Sequence, residues 1–373
     1  MNTSINDRYE ALDALRGVAA VLVIFFHVNW ANHITGLHFF RHAFLFVDLF
    51  FILSGFIIAA KYTDRLSSWR AGRRFMILRF FRLYPLHLAT LLILVALETA
   101  KYVTAHFFGL ATFSDQFSFQ RSVPAIFANF LFLQGTGILD TLSWNTPSWS
   151  ISCEMVAYAA FSVLGILGLL RSPSWLVAPV VSGYSYIIYS HGTLNVTFDI
   201  GTIRCLCGFF FGLLIGRLPP TPSPNLIAAL ATGLAIVAIA TFHGETEIFA
   251  IPAFALLVYA LSNDECTASR IMTVKPLAFL GIISFSIYLL HYIVISLIGT
   301  LIKVALHPPV MPVPGWEFPV FSISPTLGDI LVAAATLISI GLSKLTFDYI
   351  ETPWRKFGYE IADRKSASGW SSP

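Results

Sequence analysis

Residues 43–61, AFLFVDLFFILSGFIIAAK, run for nineteen positions with a single acid, Asp48, before the lysine that closes them. A stretch of about 20 apolar residues is what an α-helix needs to cross the hydrocarbon core of a bilayer. The same reading recurs along the chain, at roughly 12–31, 83–107, 149–170, 175–190, 199–216, 225–242, 247–262, 277–302 and 327–350. The run 175–190 is the shortest of these, and 123–135 is apolar but too short to span, which reads as re-entrant or interfacial. Of 373 residues 56% are hydrophobic and 12% charged, whereas a soluble domain carries about 25% charge. Too few charges are present to coat a surface facing water. The expected fold is an all-α polytopic membrane protein of about ten transmembrane helices.

Basic residues set the orientation. Lys61, Arg65, Arg70, Arg73, Arg74, Arg79 and Arg82 crowd the link between the second and third spans. With that link in the cytoplasm, Arg171, Arg217, Arg270, Lys275, Lys344, Arg355, Lys356, Arg364 and Lys365 also fall inside. Only Arg41, Lys101, Arg121 and Lys303 are left outside, the asymmetry of the positive-inside rule. Both termini are then cytoplasmic. Residues 17–31 resemble a signal-peptide core, but Asp7, Glu10 and Asp13 precede them and no small-residue cleavage site follows, so a retained first span is expected. Residues 1–360 read as one transmembrane domain and 361–373 as a short polar cytoplasmic tail, with no appended soluble domain. Cys153, Cys205, Cys207 and Cys266 lack the spacing of a zinc site or disulfide framework, and His38 and His42 lack supporting carboxylates. No metal and no nucleic-acid partner are expected.

Ionisable side chains inside spans are costly, roughly 2.5–3.5 kcal/mol each on insertion scales, and mark function by default. Arg16, His27, Asp48, Glu154, Arg204 and His291 fall in this class. Eleven residues separate Arg16 from His27, which places them on one helix face and about 16 Å apart along the axis. A snorkelling arginine and an interfacial histidine would have the same spacing. Counting depth from the span ends brings His27, Asp48, Glu154 and His291 to one level near the outer surface. A structural polar cluster is one reading of that coincidence; a proton-transfer site is the other. Histidine titrates near neutral pH, and a carboxylate beside it can hold its tautomer, so His27 with Asp48 or Glu154 forms a candidate catalytic pair. Arg204 has no evident partner. The arginines between 70 and 82 serve either as a topology signal or, as Arg73, Arg74, Arg79 and Arg82, as guanidinium forks for phosphate.

Together these stretches resemble the acyltransferase 3 family of membrane-bound acyltransferases. The resemblance rests on Leu12-Asp13-Ala14-Leu15-Arg16-Gly17 with His27, on Val47-Asp48 through Ser54-Gly55-Phe56, and on Arg79-Phe80-Phe81-Arg82-Leu83-Tyr84-Pro85. It continues through Trp149-Ser150-Ile151-Ser152-Cys153-Glu154, Phe285-Ser286-Ile287-Tyr288-Leu289-Leu290-His291 and Glu351-Thr352-Pro353. It implies transfer of an acyl group, commonly acetyl from acetyl-CoA, to a hydroxyl of a cell-surface or lipid-linked saccharide at a bacterial inner membrane. The family's Arg-x10-His pair falls on Arg16 and His27, its Arg-x-x-Arg pair on Arg79 and Arg82, its aspartate on Asp48 and its glutamate on Glu154. Many relatives carry a fused extracytoplasmic domain, and none is expected here.

The residue pattern fits such chemistry. Cytoplasmic acyl-CoA would set its phosphates on Arg79, Arg82, Arg16 and the neighbouring Arg73 and Arg74, with the pantetheine arm reaching toward His27. A saccharide would meet Trp149, Trp144, Tyr288 and His291, with Trp30 a further stacking surface, and His27 would deprotonate its hydroxyl. A covalent acyl-histidine is the competing mechanism. A proton-coupled secondary transporter or flippase is the rival function, which would use the buried charges as a relay; no internal repeat favours it.

Overall fold

The computed structural model describes residues 9–108, 116–313, 316 and 319–367; Asp7, residues 368–373 and the side chains of Arg364 and Lys365 lie outside that description. The described residues are predominantly helical. Its main helices are α1 (Glu10–His27), α2 (Phe46–Tyr62), α3 (Trp69–Phe108), α4 (Val123–Phe130), α5 (Trp149–Ile166), α6 (Val177–His191) and α7 (Gly201–Ile215). They continue with α8 (Pro224–Thr241), α9 (Ala250–Leu261), α10 (Lys275–Ile282), α11 (Ser284–Leu306), α12 (Pro325–Thr346) and α13 (Thr352–Ala367). Among the described residues, seven helical runs are long and apolar enough to cross a membrane, and Gly201–Ile215 is a shorter apolar helix. Helices stand at all the expected spans, so the polytopic reading holds.

Two expected boundaries move. The arginine-rich link is not a loop: it is the first part of α3, a single 40-residue helix with Pro85 inside it. At 1.5 Å per residue that is about 60 Å, twice the hydrocarbon thickness, so the basic turns project beyond the apolar belt. The expected span 277–302 is broken at Ile283, between α10 and α11. Just before the break, Gly281 packs directly on α1, where a Cβ would lie 2.5 Å from the Asp13 carbonyl carbon. The short apolar run after residue 123 folds as α4 and ends at Phe130.

The bundle is tightest where α2 meets α7. A Cβ at Gly55 would lie 1.8 Å from the Phe209 carbonyl oxygen, and one at Gly212 would lie 2.0 Å from that of Ile52. Small residues let backbones touch, the usual device of helix packing in lipid, where burial of apolar surface supplies little drive. A two-stranded ribbon closes the end opposite the arginines: β1 (Val310–Met311) pairs antiparallel with β2 (Val320–Phe321). Phe321 also exchanges backbone hydrogen bonds of 2.9 Å with Asn29 and Ala31, just past the end of α1. Both described ends of the chain lie at the arginine-rich end, where Asp13 and Tyr359 share one cavity.

The α2–α7 contact leaves no slack for a side chain. Gly212→Leu is expected to destabilise the protein by roughly 3 kcal/mol or more through overpacking. Thermal unfolding in detergent checks this; a melting temperature within a degree or two of wild type would contradict it.

Candidate active site

Three cavities succeed one another from the arginine-rich end inward. The outermost, about 570 Å³, is walled by five cations, Arg16, Lys61, Arg65, Arg82 and Arg355, with one acid, Asp13. Arg16, Arg82, Ser284 and Phe285 pass from this mouth into a throat of about 60 Å³, which adds Ser54, Glu154 and Tyr288. Val47 and Tyr288 in turn belong to a chamber of about 30 Å³, lined by His27, Phe26, Phe44, Trp149 and Arg204. Asn195, Thr197 and Thr146 form the chamber's wall on the side away from the arginines. Adjacent cavities thus lead from a cationic mouth toward one histidine.

The hydrogen bonds at that histidine define its tautomer. His27 closes α1, and its Nδ1 lies 3.0 Å from the Val23 carbonyl one turn back. His291 repeats the arrangement on α11, with Nδ1 3.1 Å from the Ile287 carbonyl. The Nε2 of His291 lies 3.1 Å from Nδ1 of His27. A carbonyl oxygen only accepts, so neutral His291 carries its proton on Nδ1 and offers Nε2 as an acceptor. Nδ1 of His27 then faces two acceptors and must donate. The remaining nitrogen, Nε2, keeps its lone pair, and the ring lines the chamber. Neutral His27 can thus accept a proton or a hydrogen bond at Nε2.

Neither carboxylate reaches it. Asp48 is fully buried and taken up by Arg204, whose Nη2 donates to Oδ2 at 2.6 Å and whose Nε donates to Oδ1 at 3.0 Å. The same guanidinium donates to the carbonyls of Phe44 and Val196, at 3.1 Å and 3.0 Å. Glu154 lies in the throat beside Arg16 and Arg82, accepting from Ser54 and, at 2.5 Å, from Tyr158. The expected single level of four ionisable groups therefore resolves into tiers. Glu154 stands one helical turn beyond Ser150, and it is Ser150 that meets Tyr288, at 2.8 Å.

The sequence matches the family described as "Acyltransferase domain" over residues 9–343. The chain belongs to the acyltransferase 3 family. Peptidoglycan O-acetyltransferase OatA of Listeria monocytogenes is 25% identical over 94% of this chain and 56% of its own length. The chain thus spans little more than half of that relative. Acyltransferase MdmB of Streptomyces mycarofaciens is 26% identical over 77% of this chain and 79% of its own. Protein 2 in the picA locus of Rhizobium radiobacter is 30% identical over 48% of this chain and 93% of its own. No solved structure matches.

Several residues expected at a donor or acceptor site stand elsewhere. Arg79 does not line the mouth: it is buried among the Tyr62, Phe75 and Tyr158 rings and donates to the Tyr62 hydroxyl at 3.0 Å. Arg74 pairs on the surface with Asp363, at 3.0 Å, and neither it nor Arg73 joins the cavity. Spacing along a helix gave no warning: α3 turns both Arg79 and Arg82 toward the bundle, but only Arg82 meets the cavity. Trp144 packs with Leu290 and Ile293, donating to the Ser122 carbonyl at 3.2 Å, and Trp30 is buried and donates to the Gly328 carbonyl at 3.1 Å. His291 sits behind His27 rather than in the chamber, whereas Trp149 and Tyr288 do line it. Sequence reasoning passed over Lys61, Arg65 and Arg355 as topology signals; nothing in their spacing announces a shared cavity. His38 and His42 stack at 3.8 Å between ring centroids, and no group of three or more metal-ligating side chains occurs among the described residues.

Breaking a buried ion pair strands a charge, at a cost of about 3–5 kcal/mol. Arg204→Met should therefore destabilise the protein strongly, and adding Asp48→Leu should recover much of that loss. Unfolding curves in detergent for the two variants decide it; a double variant no better than the single would mean that the pair does not act as a unit.

Proposed function

We propose that the enzyme transfers an acetyl group from acetyl-CoA to a hydroxyl of a cell-surface or lipid-linked saccharide at a bacterial inner membrane, with His27 as the general base. The observation that carries this reading is the series of adjacent cavities, each sharing wall residues with the next, from a mouth lined by five cations to the chamber lined by His27. By the positive-inside rule the cationic mouth faces the cytoplasm, where acyl-CoA is found. Arginine and lysine at the mouth suit the donor's phosphates, and the narrow throat suits a thin pantetheine arm. The chamber at about 30 Å³ favours a small acyl group. The relatives' names, peptidoglycan O-acetyltransferase among them, support a saccharide hydroxyl as acceptor.

Under this reading the acceptor arrives from the far side, past Asn195 and Thr197, and its hydroxyl meets Nε2 of His27. As the oxygen attacks the thioester carbonyl, His27 takes the proton; the thiolate then leaves and recovers it. The Arg204–Asp48 ion pair lines the chamber with its charges already balanced, and fixes the wall against which the reacting carbonyl would lie. Glu154 orients Ser54 and Tyr158 beside the arm and balances Arg16 and Arg82. Holding both reactants in line supplies much of the acceleration, several kcal/mol in well-oriented systems.

Calorimetry with acetyl-CoA separates the two ends of the path. Arg82→Ala/Arg355→Ala should weaken binding more than about tenfold, while His27→Ala should bind like wild type and lose transfer by about 10²–10⁴. Unimpaired transfer by a folded His27→Ala protein would sink the general-base role. Absence of acetyl-CoA binding by folded wild type would redirect the search toward ion-coupled transport. Acetyl recovered on His27 without acceptor would favour the acyl-enzyme route.

His291 tests the tautomer argument separately. His291→Leu removes the acceptor that shares the His27 proton, so kcat should fall about tenfold or more with KM for acetyl-CoA unchanged. Equal losses in both constants would point to a general disturbance of the bundle.

A further inference from the structure

Away from the catalytic path, α3 and α11 part on the lipid-facing side to leave a groove of about 280 Å³. Its walls are apolar, from Leu94, Leu97 and Ala100 on α3 to Ile293 and Leu297 on α11. Two cations, Lys101 and Arg121, line it at the end remote from the arginine-rich mouth. Both converge on one carboxylate: Arg121 Nη1 lies 2.7 Å and Lys101 Nζ 3.4 Å from Oε2 of Glu98. The Glu98 side chain is only 2% exposed, against 33% for Lys101 and 25% for Arg121. Two positive charges and one buried negative leave the groove's end with a net positive charge.

The placement is unusual for this chain. Only Arg41, Lys101, Arg121 and Lys303 fall on the side that the positive-inside rule keeps poor in cations, and two of those four meet here. Hydrocarbon tails cover the groove's walls in any membrane, so the choice of occupant rests with the headgroup. A zwitterionic headgroup gains little from a net positive site, whereas a phosphodiester with no balancing amine meets two donors. We infer that this groove holds one anionic glycerophospholipid, with its phosphate between Lys101 and Arg121 and an acyl chain along Leu94, Leu97 and Leu297. The site also touches the catalytic bundle. Ile293 on the groove's floor packs with Leu290 and Trp144, directly beside His291.

Native mass spectrometry of the full chain, with phosphatidylglycerol or phosphatidylcholine of identical acyl chains, tests the inference. Wild type should bind one phosphatidylglycerol at least about fivefold more tightly than phosphatidylcholine, the worth of roughly one cation beside an anionic headgroup. Lys101→Gln, which spares the Arg121–Glu98 pair, should reduce that preference severalfold. Ala100→Trp fills the groove and leaves every charge in place, and should abolish the bound lipid; Leu297→Trp provides the same block from α11 if that variant fails to fold. Equal affinity for the two lipids, or a preference unchanged in the folded variants, would overturn the inference. Displacement of phosphatidylglycerol by soluble glycerol phosphate would overturn it too, by assigning the cations to a free phosphate.

Discussion

A charge within hydrocarbon must find its partner inside the protein, because neither lipid nor water will supply one. That constraint organises this bundle. Asp48 on α2 takes Arg204 on α7, Glu351 at the turn before α13 takes Arg355 at 2.5 Å, and Glu98 takes Arg121. The first and third pairs each tie one helix to a neighbouring stretch of chain, and Glu351, whose arginine lies one turn along its own helix, reaches α11 through Ser286. Gly55 and Gly212 then let α2 and α7 close until their backbones touch, which brings the Asp48 and Arg204 side chains within reach. Pairing and close approach are one device: each of the two depends on the other.

The same constraint leaves some charges deliberately short of partners. At the mouth Arg16 has Asp13 and Arg355 has Glu351, while Lys61, Arg65 and Arg82 add further positive charge to a cavity that opens to water. Further in, the proportion shifts: the throat sets Glu154 against Arg16 and Arg82, and the chamber sets a neutral histidine beside an arginine already satisfied by Asp48. The gradient from net positive to balanced is what a donor with anionic phosphates at one end and a neutral thioester at the other would match.

Much of this was legible in the chain. Apolar runs of the right length gave the spans, the cost of buried charge singled out Arg16, His27, Asp48, Glu154, Arg204 and His291, and the order of motifs gave the family. What failed was azimuth and partnership. Hydropathy reports depth along a helix but not which neighbour a side chain faces, so Asp48 was matched to His27 when Arg204 lay across the interface. Arg79 and Arg82 differ by three residues, yet one is buried among aromatic rings and the other lines the path. The basic link read as a loop because its arginines mask the apolar face of Gly72, Phe75 and Leu78, which pack inward as the start of α3.

A second histidine, where a carboxylate was expected, changes how the site would handle charge. A carboxylate beside His27 would place a permanent negative charge in a region of low dielectric, needing its own compensation. His291 supplies orientation without charge: its Nδ1 is committed to a carbonyl on its own helix, so only an acceptor faces His27. In the proposed mechanism the imidazolium would have as its counter-charge the oxyanion created in the same step, and afterwards the departing thiolate. Charge separation would then stay inside the reacting atoms and end when the thiol is protonated. An arrangement that holds geometry with neutral groups, and keeps the one nearby ion pair already neutralised, suits proton transfer in a chamber that lipid surrounds.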